Sequence, residues 1–272
     1  VLADLLQRRP WLLIAAHVAC FWPVWQWYAH RMNDGSDEPW ALVALLAAVL
    51  LSWPRAGLRL NARDPLLGVA TVLTLLYALL APFAPPLVRA LLTLGALGCS
   101  WISVSGARDR APAVIGLLVL SVPVIASLQF YAGYPLRILT AGGATALLNL
   151  CGEEVLRQGT NMLAGEHVVI VDAPCSGVRM LWTAAALCCV LAGLRARVSW
   201  RALAWSLLFV LPVVLAGNMI RAALLFLLET ASEPPPAVLH AGVGVLTFVV
   251  VAALLLASES LQTRRRWHEA AG

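Results

Sequence analysis

Long apolar runs, separated by short polar stretches, alternate along the whole chain. A bilayer core of about 30 Å needs about 20 helical residues. Read on that scale, the runs predict eight membrane helices, at 11–28, 40–53, 66–81, 87–104, 113–131, 177–194, 200–228 and 238–257, some of them short. Trp11, Trp22, Trp25, Trp27, Trp40, Trp53 and Trp200 fall near the proposed ends or in loops, where an amphipathic indole prefers the headgroup zone. They read as anchors.

The stretch from Gly133 to Ser176 breaks the rhythm. Its first part, 135–152, is almost free of charge but too short to cross comfortably, carries Gly142 and Gly143, and has Leu136, Leu139, Leu147 and Leu150 at spacings that suit a helix lying in the interface. A small hairpin is expected next, with strands at 160–163 and 166–172 parted by Ala164-Gly165, because Val168, Val169, Ile170 and Val171 favour strand. The hairpin delivers the chain to Pro174-Cys175.

Composition agrees with a membrane protein: 61% of residues are hydrophobic and only 12% charged, too few to cover a water-soluble globule. The net charge of +5 comes entirely from arginine, scattered singly or in small groups, which argues against a nucleic-acid partner and for a lipid bilayer. Arg8 and Arg9, then Arg55, Arg59 and Arg63, then Arg108 and Arg110, then Arg195, Arg197 and Arg201, and finally Arg264, Arg265 and Arg266 fall on one side, expected to be cytoplasmic. Asp34, Asp37, Glu38, Glu153, Glu154, Glu166, Asp172, Glu229 and Glu233 occupy the intervening, outward loops. Both ends are then inside, and the first run is expected to stay as a span, since no small-residue cleavage site follows it. The fold class expected is an all-α integral membrane protein in one polytopic domain. It comprises a five-helix part (1–131), an extracytoplasmic loop with interfacial helix and hairpin (132–176), a three-helix part (177–258) and a basic cytoplasmic tail (259–272).

This topology places three chemically able side chains at one membrane face. Cys175 precedes the sixth span, where the Ala173-Pro174-Cys175-Ser176-Gly177 turn is expected to aim unpaired helix N–H groups at the thiol and favour thiolate, the competent nucleophile. Arg221 lies about 30 Å along the seventh segment from its inner start near Trp200, with Asn218 three residues earlier on the same face. His240 opens the eighth span after Pro234, Pro235 and Pro236. An arginine inside an apolar run usually faces a polar cavity, although snorkelling to the interface is the plainer alternative. Cys20, Cys99, Cys188 and Cys189 read as small core residues and Cys151 as a packing residue. With only Cys151 and Cys175 on the oxidising side, a disulfide framework is not expected. His17, His30, His167 and His268 read as structural or exposed, and the dispersed histidines define no metal site.

Three blocks resemble the exosortase/archaeosortase family of polytopic membrane cysteine transpeptidases: Ala173-Pro174-Cys175-Ser176-Gly177-Val178-Arg179, Asn218-Met219-Ile220-Arg221, and His240-Ala241-Gly242-Val243-Gly244. Their order across three consecutive spans also fits, and the resemblance covers roughly 135–256. It implies a catalytic set of Cys175, Arg221 and His240 that needs no cofactor, at the outer face of a bacterial cytoplasmic membrane. The implied partner is a membrane-anchored protein substrate with a C-terminal sorting signal: a Pro-Glu-Pro-like motif, a transmembrane helix and a basic end. Asn218, Arg179, Ser176, Asp172 and Arg157 are expected to support the site or bind substrate. Of these, Arg179 lies one turn beyond Cys175, placed to orient substrate or to hold Asp172.

Two other readings remain open on the residues. Glu153-Glu154-Val155-Leu156-Arg157 is similar to the paired-glutamate motif of the prenyl-protein-protease-like family, with the arginine one residue early. Arg221 and His240 are alternatively the lining of an anion or proton path in a transporter, against which stands the absence of midplane charge.

Overall fold

Prolines set most helix boundaries in this chain. The computed structural model describes residues 2–34, 39–54, 57–231 and 236–271, so Asp37, Glu38, Arg55, Glu233, Pro234 and Pro235, assigned to loops above, lie outside the described residues. The first helices are α1 (Leu2–Arg8), α2 (Trp11–Cys20) and α3 (Trp22–Asn33), with Pro10 at the N-cap of α2 and a proline in the first turn of α3. The first predicted span is therefore two short helices divided at Phe21. Pro23 has no N–H to give, and a first helical turn is where that loss matters least.

The second and third predicted runs become α4 (Trp40–Leu51) and α5 (Pro65–Leu80). Asp64 starts α5 by accepting the Leu66 N–H at 2.9 Å. After it, α6 (Pro86–Ser105) begins on a proline and ends at Gly106, whose N–H returns to the Ile102 carbonyl. A 3-10 turn over Arg108–Arg110 leads into α7 (Ala111–Leu120).

The next helix corrects the sequence reading. α8 (Ile125–Leu150) is one helix of 26 residues with Pro135 inside it, so the second half of the fifth predicted span and the predicted interfacial helix are continuous. The chain breaks earlier, between Leu120 and Ile125, where Pro123 stands. An apolar helix tolerates an internal proline when neighbouring groups satisfy the freed carbonyl.

A three-stranded antiparallel meander follows: β1 (Leu156–Gln158), β2 (Asn161–Ala164) and β3 (His167–Ile170), in the order β1-β2-β3. The β2–β3 hairpin lies where expected, turning at Gly165-Glu166 between the paired Ala164 and His167. β1 escaped prediction because its three residues, all exposed, are too short to show alternation. Next come α9 (Val178–Gly193), α10 (Trp200–Glu229) and α11 (Ala237–Ala271), which start within a residue of the last three predicted runs; α11 continues past 257 through the segment expected as a tail.

The chain forms two compact units, 1–126 with 189–203, and 127–188 with 204–272. In the first, Phe21, Val24, Tyr77, Ala90, Leu94, Ala96 and Val122 make a buried cluster, and the Phe21 and Tyr77 rings meet edge to face at 4.8 Å. In the second, Ala184, Cys188, Val210, Val214, Val251 and Leu255 pack α9, α10 and α11 together. A second cluster there joins Ala141, Ala144 and Leu148 of α8, Met162 of β2, and Ala222 and Phe226 of α10.

Helix length supports fewer full crossings than the eight expected. Among the described residues, three helical segments are long and apolar enough to span a membrane: Pro86–Ser105, Trp200–Glu229 and Val238–Ser258. α7 with α8 makes a fourth if counted as one broken span. α2, α4, α5 and α9 are apolar but shorter, and 12 residues of α4 reach only about 18 Å. The α11 span is only 17% buried within the protein, which leaves apolar side chains such as Val245 and Val249 for lipid.

Candidate active site

Cys175 sits on a short 3-10 turn, Ala173–Ser176, that precedes α9. Asp172 begins the turn; its carboxylate accepts the Cys175 N–H at 3.3 Å. Gly177 ends it with φ +82°, and a Cβ there would lie 3.0 Å from Asn218 Nδ2. Backbone conformation and close approach both require glycine. The thiol is therefore separated from the first turn of α9 by a left-handed residue.

Two amides clamp this turn from other helices. Gln129 of α8 donates from Nε2 to the Ala173 carbonyl at 2.9 Å, and its Oε1 accepts from Ser176 Oγ at 2.8 Å. Asn218 of α10 donates from Nδ2 to the Cys175 carbonyl at 2.8 Å and to Thr140 Oγ1 of α8 at 2.9 Å. Asn218 and Thr140 are 2% and 0% exposed, so these bonds face no competition from water. α8 approaches α10 closely here: a Cβ on Gly143 would overlap the Met219 sulfur.

Burial pushes the Cys175 thiol up to about 11; the Arg221 charge pulls it down, while the Asp172 carboxylate, by hydrogen bond and charge, and the Glu229 charge push it further up. The expected thiolate-favouring helix terminus is not what the fold provides. At neutral pH burial keeps this cysteine as the thiol.

Arg221 lies one turn beyond Asn218 on α10 and is half-buried. Its guanidinium rests against Gly244 of α11, where a Cβ would stand 3.5 Å from Nε. Among the described residues that Nε is buried without a hydrogen-bond partner, and the Arg221 charge reaches the Cys175 thiol. His240, on the first turn of α11, has Nδ1 3.7 Å from Glu229 Oε1 at the end of α10.

Cys175, Ser176, Asp172, Asn218 and Arg221 thus form one constellation, joined to His240 by way of Glu229. Arg179 is exposed on the first turn of α9, where Thr183 Oγ1 donates to its carbonyl at 2.8 Å. Arg157 belongs to the sheet: it is exposed on β1 and its Nη1 donates to the Gly159 carbonyl at 3.0 Å. Glu153 and Glu154 are exposed beyond the end of α8, not on a helix, and line a separate hollow with Asn149 and Leu163. Sequence reading missed Gln129 and Thr140 entirely and counted Glu229 only as a loop acid. The available signal for the first two was their polarity within the apolar run of α8.

Cys99, Cys188 and Cys189 are buried as expected. Cys20 and Cys151 are exposed, not packed, because each ends its helix or follows directly on it.

The elements describe a multi-pass helical membrane protein with a cysteine turn held between helices. The chain belongs to the transmembrane exosortase family, whose profile matches residues 4–257. The likeness therefore reaches through the N-terminal helices, well beyond the C-terminal portion carrying the three motifs. Comparison with curated proteins and comparison with solved structures each returned no match.

Proposed function

We propose that the protein is a membrane-embedded cysteine transpeptidase or peptidase. It cleaves the C-terminal sorting signal of exported proteins at the outer face of the cytoplasmic membrane, and Cys175, Arg221 and His240 are its catalytic residues. The observation that carries this reading is a cysteine turn clamped by Asn218 and Gln129, with the Arg221 charge reaching its half-buried thiol.

In the first step His240 takes the Cys175 proton as the sulfur attacks the scissile carbonyl carbon. A base acting at the moment of attack suits a thiol raised to about 11, since little thiolate exists beforehand. Arg221 stabilises the oxyanion of the tetrahedral intermediate, a role worth most in a water-poor site. The carbon–nitrogen bond then breaks, His240 returns the proton to the leaving amine, and a thioester remains on Cys175. An incoming amine, or water, loses its proton to His240 and releases the product. Asn218, Ser176 and Asp172 hold the nucleophile's backbone; Arg179, exposed beside the turn, and Arg157, more distant on the sheet, meet the acidic sorting motif.

The test is Cys175→Ala with cleavage of a co-expressed, tagged substrate followed in membranes. Processing should be abolished while the protein still accumulates. Undiminished processing overturns the thiol mechanism, and loss confined to Glu153 or Glu154 variants would assign the reaction to a glutamate protease.

A further inference from the structure

Glu229 is the charged group of this site to which the chemistry above assigns nothing. It occupies the last turn of α10, where the helix already presents partial negative charge and a carboxylate is unfavourable without a positive partner. The group facing it is His240 Nδ1 at 3.7 Å, an ion-pair distance rather than a hydrogen bond. The two side chains are 37% and 42% exposed, so the pair adds little to stability. Resting enzymes often hold catalytic contacts long and tighten them when substrate binds. The Glu229 charge also reaches the Cys175 thiol, and acting alone it opposes thiolate. A carboxylate placed there assists the nucleophile only through an imidazolium.

We propose that Glu229 is the positioning residue of His240: it holds Nδ1–H, leaving Nε2 as the base, and stabilises the imidazolium that forms when the Cys175 proton arrives. This rests on the reading of Cys175 and His240 as nucleophile and base. The proton leaves the sulfur for Nε2, the Nδ1 proton stays directed at Glu229, and the amine released by carbon–nitrogen cleavage takes the proton from Nε2. Among the described residues, the other charged or titratable groups tied to this site are Arg221 on α10, against Gly244 of α11, and Asp172 with Cys175 on the turn.

The experiment measures iodoacetamide alkylation of Cys175 in the full-length solubilised protein against pH, resolved by peptide mass spectrometry. Glu229→Gln is expected to slow alkylation at neutral pH about tenfold, the size of one pKa unit, and Glu229→Asp to restore part of the rate. In a His240→Ala background, Glu229→Gln should cause no slowing. An unchanged or faster rate in Glu229→Gln, or equal slowing with and without His240, overturns the proposal. If His240→Ala itself leaves the rate at the parental value, the proton role of His240 fails as well; if it slows alkylation and Glu229→Gln does not, only the role of Glu229 fails. Exposed Cys151 should react at the parental rate in every variant as a check on folding, and Glu229→Asp decides if the glutamine variant fails it.

Discussion

Asp64 and Arg221 are both ionic groups set against apolar helices, and the protein treats them in opposite ways. Asp64 is saturated: Ser103 Oγ donates to it at 2.6 Å, the Leu66 N–H at 2.9 Å, and Arg108 pairs with it. Burial works against its ionisation, but the hydrogen bonds from Ser103, Arg108 and Leu66 and the Arg108 charge hold it below the usual carboxylate range. Arg221 keeps a buried Nε without a partner among the described residues, and the cysteine it influences is clamped through its backbone. Asp64 has its hydrogen-bonding capacity filled, whereas Arg221 keeps part of it open among the described residues, as Arg89 and Arg137 do at Nε.

The sharpest way to break this contrast is Arg221→Lys. Lysine keeps the charge and loses the planar fork, so processing should fall about 100-fold, the loss typical of one oxyanion donor, while the pH profile of Cys175 alkylation stays in place. Arg221→Gln removes the charge as well and should carry that profile to higher pH, because Arg221 draws the thiol's ionisation downward. Full processing by the lysine variant would make Arg221 a point charge only.

Asn218→Ala comes next in size. It strips the Cys175 and Thr140 oxygens of a buried donor and should cost about 2 kcal/mol, read as a lower melting temperature of the solubilised protein, together with slower processing. A variant that melts like the parent would show that the turn is held by Gln129 and Asp172 without it.

Asp64→Ala should have the smallest effect, about 1–2 kcal/mol of stability, with Cys175 alkylation unchanged. Because the folded state depresses this carboxyl, its contribution is full above the unfolded value near pH 4 and is lost as pH falls through the lower folded value. The gap in melting temperature between parent and variant should therefore close on acidification. A gap that widens would assign the cluster some other role.

Hydropathy located α5, α6, α9 and α10 to within a few residues and found the start of α11, because burial in lipid or protein selects the same apolar composition; it ended α11 at 257, whereas the helix continues to Ala271. It misjudged 113–152, where the chain is apolar on both sides of Pro123 and of Pro135 and composition says nothing of which proline breaks it. The motif residues around Cys175 were legible, since Pro174-Cys175-Ser176-Gly177, with a proline and a glycine three residues apart, implies a turn. The ionisation state of the thiol was not, because it depends on burial and on Arg221, Asp172 and Glu229, which reach it from two elements.

What the sequence by itself determined was local: the apolar helices, the turn that carries Cys175, and the order of the cysteine, arginine and histidine motifs. Only the tertiary structure decided which polar groups meet. Gln129 and Ser176 are 47 residues apart, Asn218 and Thr140 are 78 apart, and no period or composition along the chain links them. The physical reason is that a polar group inside an apolar bundle must find its partner wherever packing brings one. That Arg221 Nε, like the Nε of Arg89 and of Arg137, is buried without a partner among the described residues is visible only in the folded chain.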